Sequence, residues 1–318
     1  MGLNEALMIV GFTLAAYSVV SNDSIQTLGT FLSANANRRW WVLWIFASSI
    51  LVAVVLYGWV VNAGAPSYGR LAKFPEPVNG ISWLHIAAPL TLLILTRLGI
   101  PVSTTFLVLS VFAPGNIESM LFKSLLGYLV AFVVAILLYV GLRKFVASFL
   151  NPLEPSASSR WVVIQWAATA FLWSQWLIQD LANIFVFLPR ELSFNWLVFG
   201  TVTLVVMQGY TFYQKGGAIQ EIVRSKQGVA DIRAASLIDI AYGLILFFFK
   251  ELNDMPMSTT WVFLGLLAGR ELAMTLHLGS EDRQRARRLI LSDASKAGFG
   301  LVVSVALAFA GIYFIDTT

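Results

Sequence analysis

The stretches PVSTTFLVLS at residues 101–110 and MPMSTTWVFL at residues 255–264 share one pattern. In each, a proline and one apolar residue precede Ser-Thr-Thr, and an aromatic residue with further apolar residues follows. Proline is favoured at the first position of a helix, and the N–H groups of a first turn have no helical acceptor. Each triplet therefore predicts a polar helix N-terminus at the start of an apolar segment.

The composition around these stretches is that of a membrane protein. The chain has 318 residues, of which 58% are hydrophobic and 12% are charged, and its mean hydropathy is +0.76. Soluble domains carry about 25% charged residues. The composition predicts an all-α polytopic membrane protein without a sizeable soluble domain. The net charge of +4 lies mostly in short loops and does not predict a nucleic-acid partner.

Hydropathy divides the chain into two groups of apolar segments, most of them long enough to span a bilayer. A polar linker separates the groups, which predicts repeat one at residues 1–142, a cytoplasmic linker at 143–160 and repeat two at 161–318. The predicted segments are 5–33, 40–61, 81–98, 100–113, 119–142, 161–187, 194–212, 235–249, 255–276 and 297–315.

A second pair of motifs shows that the two groups are related. The stretches VVSNDSIQTLGTF at 19–31 and LIQDLANIF at 177–185 each place an aspartate and amides within an apolar segment. Asp23 and Asp180 are 157 residues apart, and Ser103 and Ser258 are 155 apart. Two motif pairs at nearly the same offset indicate an internal duplication.

The distribution of basic residues predicts the orientation of the halves. Four loops hold fourteen of the 21 Lys and Arg residues, at 34–39, 143–160, 213–233 and 277–296. The positive-inside rule places these loops in the cytoplasm and both termini outside a plasma (inner) membrane. Five crossings in each half would make the repeats inverted. Inverted repeats whose interrupted helices meet near the midplane are typical of secondary transporters.

The polar residues inside the apolar segments are candidate cation ligands. A carboxylate at the bilayer centre costs about 2.5–3.5 kcal/mol on insertion scales, which favours a functional reason for its presence. Oxygen ligands of this kind suit Na⁺ or proton uptake. The alternative is that these groups only hold helices together through hydrogen bonds. The predicted ligands are Asn22, Asp23 and Gln26 in repeat one and Gln179, Asp180 and Asn183 in repeat two.

The two triplets are candidate ligands for an anion. Free N–H groups at a helix N-terminus, together with hydroxyl donors, bind an oxyanion without a permanent positive charge. The alternative is that each triplet only caps its helix. The predicted anion ligands are Ser103, Thr104, Thr105, Ser258, Thr259 and Thr260. The chain has no cysteine and two histidines, so we expect no resident cofactor and no histidine-ligated metal.

The stretches SNDSIQTLGT, QDLANIF, PVSTTF and MPMSTTW resemble the paired signatures of the inorganic phosphate transporter (PiT) family. The resemblance implies a symporter that moves phosphate with Na⁺ or H⁺, possesses inverted repeats and forms a homodimer. By position, Asn22, Asp23 and Gln26 match the first family motif and Gln179, Asp180 and Asn183 match its repeat. Phe106 and Trp261 stand where the family has histidines.

Three alternatives remain open from the sequence. The same scaffold carries sulfate in related members of the family. Two aspartates within a membrane could form an aspartyl protease dyad, although the surrounding amides and triplets do not fit that chemistry. A receptor would bind the anion without moving it. The sequence favours a transporter of inorganic phosphate and not an enzyme.

Overall fold

The computed structural model describes residues 2–98, 100, 102–141, 155–217, 220, 232–252, 256–275 and 280–315, which form helices and connecting loops and include no strand. The all-α prediction is confirmed over these residues. The helices of the first half are α1 (Leu3–Val19), α2 (Ile25–Ala34), α3 (Trp40–Val61), α4 (Trp83–Arg97), α5 (Ser110–Phe112) and α6 (Ile117–Gly141). Those of the second half are α7 (Pro155–Asp180), α8 (Ala182–Phe185), α9 (Phe194–Tyr213), α10 (Ile232–Leu252), α11 (Thr259–Thr275) and α12 (Ser280–Ile315).

Several helical segments are long and apolar enough to cross a bilayer, as a membrane protein requires. Five such segments occur among the described residues: Leu3–Ala34, Trp40–Val61, Pro114–Gly141, Phe194–Tyr213 and Ile232–Lys250. Helix α4, with 15 residues, is about 22 Å long, short of the hydrocarbon thickness of about 30 Å. Five crossings in each half therefore stay a prediction.

The predicted interruptions of the helices occur where the polar motifs lie. A π-helical turn at Val20–Ser24 separates α1 from α2 and contains the first aspartate. In the second half, Leu181 separates α7 from α8 directly after Asp180. The segment predicted at 100–113 is a second π-helical turn, Thr105–Leu109, followed by the single turn α5. Pro101 lies outside the described residues.

Two predicted loop boundaries are wrong. Helix α7 begins at Pro155, inside the linker predicted at 143–160, and residues 143–154 of that linker lie outside the described residues. The basic loop predicted at 277–296 is helical from Ser280 onward, because α12 is one continuous helix. Hydropathy marks this stretch as polar, but its arginines and alanines are strong helix formers.

The packing of the helices follows the duplication. In the first half α1 packs on α4, and in the second half α7 packs on α10. Helix α6 packs on α11, while α12 packs on the π-helical turn that follows the first triplet. Helices α3 and α9 pack on each other. When each helix is replaced by its counterpart in the other half, the α1–α4 pair becomes α7–α10. The α6–α11 pair becomes the contact of α12 with the π-helical turn, and the α3–α9 pair is unchanged.

The close approach of α6 and α11 depends on two glycines. A Cβ atom at Gly265 would lie 2.4 Å from the carbonyl oxygen of Tyr128, and one at Gly269 would lie 2.3 Å from that of Phe132. Small residues four positions apart let helix backbones approach closely in membrane proteins. This contact fixes the position of α11 and hence of the triplet at its start.

Loops from the two halves are joined by Arg190. Its guanidinium donates hydrogen bonds of 2.9–3.2 Å to the carbonyl oxygens of Phe74 and Pro75 in one loop and of Val186 and Leu188 beside it. Burial lowers the pKa of this arginine from its ordinary value. The arginine ties together two loops that the charge distribution places on the same side of the membrane.

Candidate functional site

The residues predicted as cation and anion ligands are buried, and the fold brings most of them together. None is more than 5% exposed. They lie on the first π-helical turn and α2, before and within the second π-helical turn, at the junction of α7 and α8, and at the start of α11. The set is Asn22, Asp23, Gln26, Ser103, Thr104, Thr105, Gln179, Asp180, Asn183, Ser258, Thr259 and Thr260.

Asp23 accepts hydrogen bonds from both halves of the chain. The Asn22 amide donates to Asp23 Oδ1 at 2.5 Å and to the carbonyl oxygen of Val102 at 2.8 Å. The Thr104 hydroxyl donates to Asp23 Oδ2, and the Thr260 hydroxyl donates to Asp23 Oδ1 at 3.4 Å. The first carboxylate therefore lies in contact with hydroxyl groups of both triplets.

Asp180 has a similar environment. The Asn183 amide donates to Asp180 Oδ1 at 2.7 Å, and the Thr105 hydroxyl donates to the same oxygen at 3.5 Å. Asn183 also donates to the hydroxyl oxygens of Thr104 at 2.9 Å and Thr105 at 3.3 Å. The hydroxyl of Thr259 lies close enough to interact with Asp180. Each carboxylate thus contacts one threonine of each triplet.

The third residues of the triplets bridge the halves in a reciprocal way. The Thr105 hydroxyl donates to the carbonyl oxygen of Met257, directly before the second triplet, at 3.2 Å. The Thr260 hydroxyl donates to the carbonyl oxygen of Val102, directly before the first triplet, also at 3.2 Å. Each triplet therefore donates a hydrogen bond to the backbone directly before the other triplet.

The serines of the triplets behave as helix caps. Ser103 Oγ accepts the N–H of Phe106, and Ser258 Oγ accepts the N–H of Trp261, each at 3.2 Å. The capping interpretation therefore holds for these two serines. The Ser258 N–H donates to Ser124 Oγ at 2.8 Å, so this backbone donor already has a partner.

Sequence reasoning missed two supporting residues, Ser124 on α6 and Tyr242 on α10. The Tyr242 hydroxyl donates to the carbonyl oxygen of Thr259 at 2.8 Å. The amide nitrogen of Gln179 donates to the carbonyl oxygen of Leu246 on α10 at 3.0 Å, whereas its Oε1 accepts no hydrogen bond from the described residues. No motif at Ser124 or Tyr242 marks these residues in the sequence.

Several oxygen atoms of the predicted cation ligands are buried and lack a hydrogen-bond partner among the described residues. They are Gln26 Oε1, Gln179 Oε1, Asp180 Oδ2 and Asn183 Oδ1. A buried acceptor without a partner costs about 1–3 kcal/mol. All four atoms belong to the residues predicted as cation ligands, and oxygen is the atom type that hard cations bind.

A further buried carboxylate, Asp239 on α10, lies outside this group. The Thr30 hydroxyl donates to its Oδ1 and the Thr169 hydroxyl donates to its Oδ2, each at 2.5 Å. Thr30 belongs to the first half and Thr169 to the second. Asp239 thus joins α2 and α7, and both of its oxygens have partners.

Comparisons with known proteins support the fold. A solved structure described as "The sodium-dependent phosphate transporter" aligns with a TM-score of 0.64 over 100% of this chain and 100% of its own. The two chains share a fold. Their sequence identity is 16%, so the likeness is one of architecture. No family model and no curated protein matches the sequence.

Proposed function

We propose that this chain is a secondary active transporter that carries inorganic phosphate together with Na⁺ or H⁺. Two observations carry the proposal: the unpartnered oxygens of the predicted cation ligands, and two buried aspartates that contact both triplets. The neighbour of the same fold is named as a sodium-dependent phosphate transporter. A shared fold with a transporter is consistent with a function other than catalysis.

The contacts suggest a physical cause for coupling. Two carboxylates in a buried site repel an anion, because charges in a medium of low dielectric constant interact strongly. Cations bound by both Asp23 and Asp180 would remove that repulsion, and a single cation would reduce it. It would also compete for the carboxylate oxygens that now accept the threonine hydroxyls, so these hydroxyls would become free to donate to an oxyanion.

We assign the cation to oxygens of Asn22, Asp23, Gln26, Gln179, Asp180 and Asn183. The anion would take the threonine hydroxyls of the two triplets, while Ser103 and Ser258 hold the helix starts in place. The remaining parts of the proposal come from sequence: inverted repeats in a plasma (inner) membrane, both termini outside, and a homodimer.

Uptake of labelled phosphate into liposomes that contain the purified protein tests this proposal. An inward Na⁺ gradient, an inward proton gradient and a K⁺ control are compared with empty liposomes. We expect uptake above background that collapses when the coupling gradient is removed. Excess unlabelled sulfate tests whether the site distinguishes the two anions. If sulfate reduces the uptake of labelled phosphate as strongly as unlabelled phosphate does, the substrate is tetrahedral oxyanions in general. Binding of phosphate without uptake under any gradient would contradict transport.

A further inference from the structure

A cationic cavity of about 250 Å³ lies between the end of α2, the start of α3 and the end of α9. Arg38, Arg39 and Lys215 line it, and none of the described residues in its wall is acidic. The two arginines belong to a basic loop of the first half, and the lysine follows α9 in the second half. The cavity therefore joins two basic loops that the charge distribution assigns to the same side.

Two of these three cations have no ion-pair partner among the residues that the structure describes. Arg38 is engaged, because its Nε donates to Asn35 Oδ1 at 3.1 Å and its guanidinium lies 5.4 Å from the centre of the Trp166 ring. The side chains of Arg39 and Lys215 are exposed and have no hydrogen-bond or ion-pair partner within the described part of the chain. Two free cations at one cavity favour an anionic ligand.

The cavity lies at the level where lipid headgroups are expected. Two candidate spans end beside it, one beginning at Trp40 and the other finishing at Tyr213. These two aromatic side chains pack edge to face with ring centroids 5.6 Å apart, and they are 38% and 64% exposed. Exposed Trp and Tyr at span ends mark the boundary between hydrocarbon and headgroups.

We propose that this cavity binds the phosphate-bearing headgroup of an anionic phospholipid. The cations Arg39 and Lys215 face the phosphodiester. The apolar side chains of Leu32, Leu43 and Phe212 complete the wall and match the glycerol and the first acyl carbons. Inorganic phosphate has no apolar part that could use this surface. Basic pockets between membrane helices on the cytoplasmic side bind such headgroups.

The test uses the full-length protein in detergent and follows its thermal unfolding midpoint while dioctanoyl phosphatidylglycerol is added. We expect this lipid to raise the midpoint in a saturable way and dioctanoyl phosphatidylcholine to leave it unchanged. Lys215→Gln should weaken the apparent affinity about fivefold, and adding Arg39→Gln should weaken it about 25-fold. The matched control is Lys73→Gln, which removes an exposed lysine from the loop between α3 and α4 and should bind like the wild type.

Two results would overturn the proposal. One is wild-type affinity in the variant that lacks both cations. The other is displacement of phosphatidylglycerol by inorganic phosphate at equal concentration, which would make the cavity a site for free anions. Both substitutions lie on exposed side chains, so their unfolding midpoints without lipid should equal that of the wild type. Arg39→Lys, which keeps the charge, should bind within about twofold of the wild type, because either cation contributes a similar attraction to an anionic headgroup.

Discussion

Phe106 and Trp261 pack against each other, with ring centroids 5.7 Å apart and ring planes inclined at 52°. Each follows one Ser-Thr-Thr triplet and donates its backbone N–H to the serine of that triplet. The two helix starts therefore meet through an apolar contact. Aromatic rings add no titratable group there, so packing is what these two positions contribute.

The contact between these rings can be measured with a double-mutant cycle. Phe106→Leu and Trp261→Leu each keep an apolar side chain, and the double variant removes the ring pair. We expect a coupling free energy of about 0.5–1.5 kcal/mol, typical of aromatic pairs. Unfolding in detergent supplies the four free energies. Strictly additive losses would mean that the rings are neighbours without a specific interaction.

Gly269→Ala should destabilise the protein, although alanine is the better helix former. The new Cβ atom would meet the Phe132 carbonyl oxygen at 2.3 Å, a backbone atom that cannot move without shifting α6. Gly298→Ala is the control, because a Cβ atom there meets nothing within 4 Å. Alanine at that position should be neutral or stabilising by up to about 1 kcal/mol. Equal unfolding midpoints for the two variants would contradict the close packing of α6 and α11.

Asp180→Asn should abolish coupled uptake or make it independent of Na⁺. The substitution keeps the size of the side chain and removes the negative charge that a cation would neutralise. The measurement is phosphate uptake into liposomes with and without an inward Na⁺ gradient. Glu118→Gln, which removes an exposed carboxylate at the start of α6, serves as the control and should retain coupled uptake. Unaltered coupling in Asp180→Asn would remove this aspartate from the mechanism.

Thr259→Val should weaken anion binding. It deletes one buried hydroxyl donor while keeping a β-branched side chain, and a lost hydrogen bond of about 0.5–1.5 kcal/mol corresponds to a rise of roughly 2- to 12-fold in the half-saturation constant. Thr201→Val is the matched control. The Thr201 hydroxyl donates to the carbonyl oxygen of Leu197 within α9, away from the site. An unchanged half-saturation constant in Thr259→Val would count against the triplets as the anion site.

Thr169→Val should destabilise the fold through Asp239. The variant leaves one oxygen of this buried carboxylate without its donor, at a cost of about 1–3 kcal/mol. Thr13→Val provides the comparison, because the Thr13 hydroxyl only donates to the carbonyl oxygen of Ile9 in its own helix. Thermal unfolding in detergent should therefore show a larger loss for Thr169→Val. Similar losses in both variants would mean that Asp239 does not depend on this hydroxyl.

Much of the fold can be predicted from sequence because lipid requires long apolar helices. Hydropathy located α3 and α9 within one residue of their ends. It failed at α12, where a charged stretch continues as helix because hydropathy carries no information on backbone hydrogen bonding. It also overestimated the segment at 100–113, in which the helical elements of the described residues are Thr105–Leu109 and Ser110–Phe112.

The site was predictable in its residues but not in its contacts. The nearly constant offset between the motifs identified Asp23 with Asp180 and one triplet with the other. The offsets do not reveal which side chain forms a hydrogen bond with the opposite half. Only the structure shows that Thr105 donates to the carbonyl before the second triplet. Only the structure shows that the serines cap their helices while the threonines contact the carboxylates.

The reciprocal hydrogen bonds of Thr105 and Thr260 also affect whether the two halves would be stable as separate polypeptides. The carbonyl of Val102 takes a hydroxyl from the second half, and the carbonyl of Met257 takes one from the first. A gene cut between α6 and α7 would yield two polypeptides, neither of which supplies all the donors of its own site. We expect such fragments to accumulate only when co-expressed, as an obligate pair.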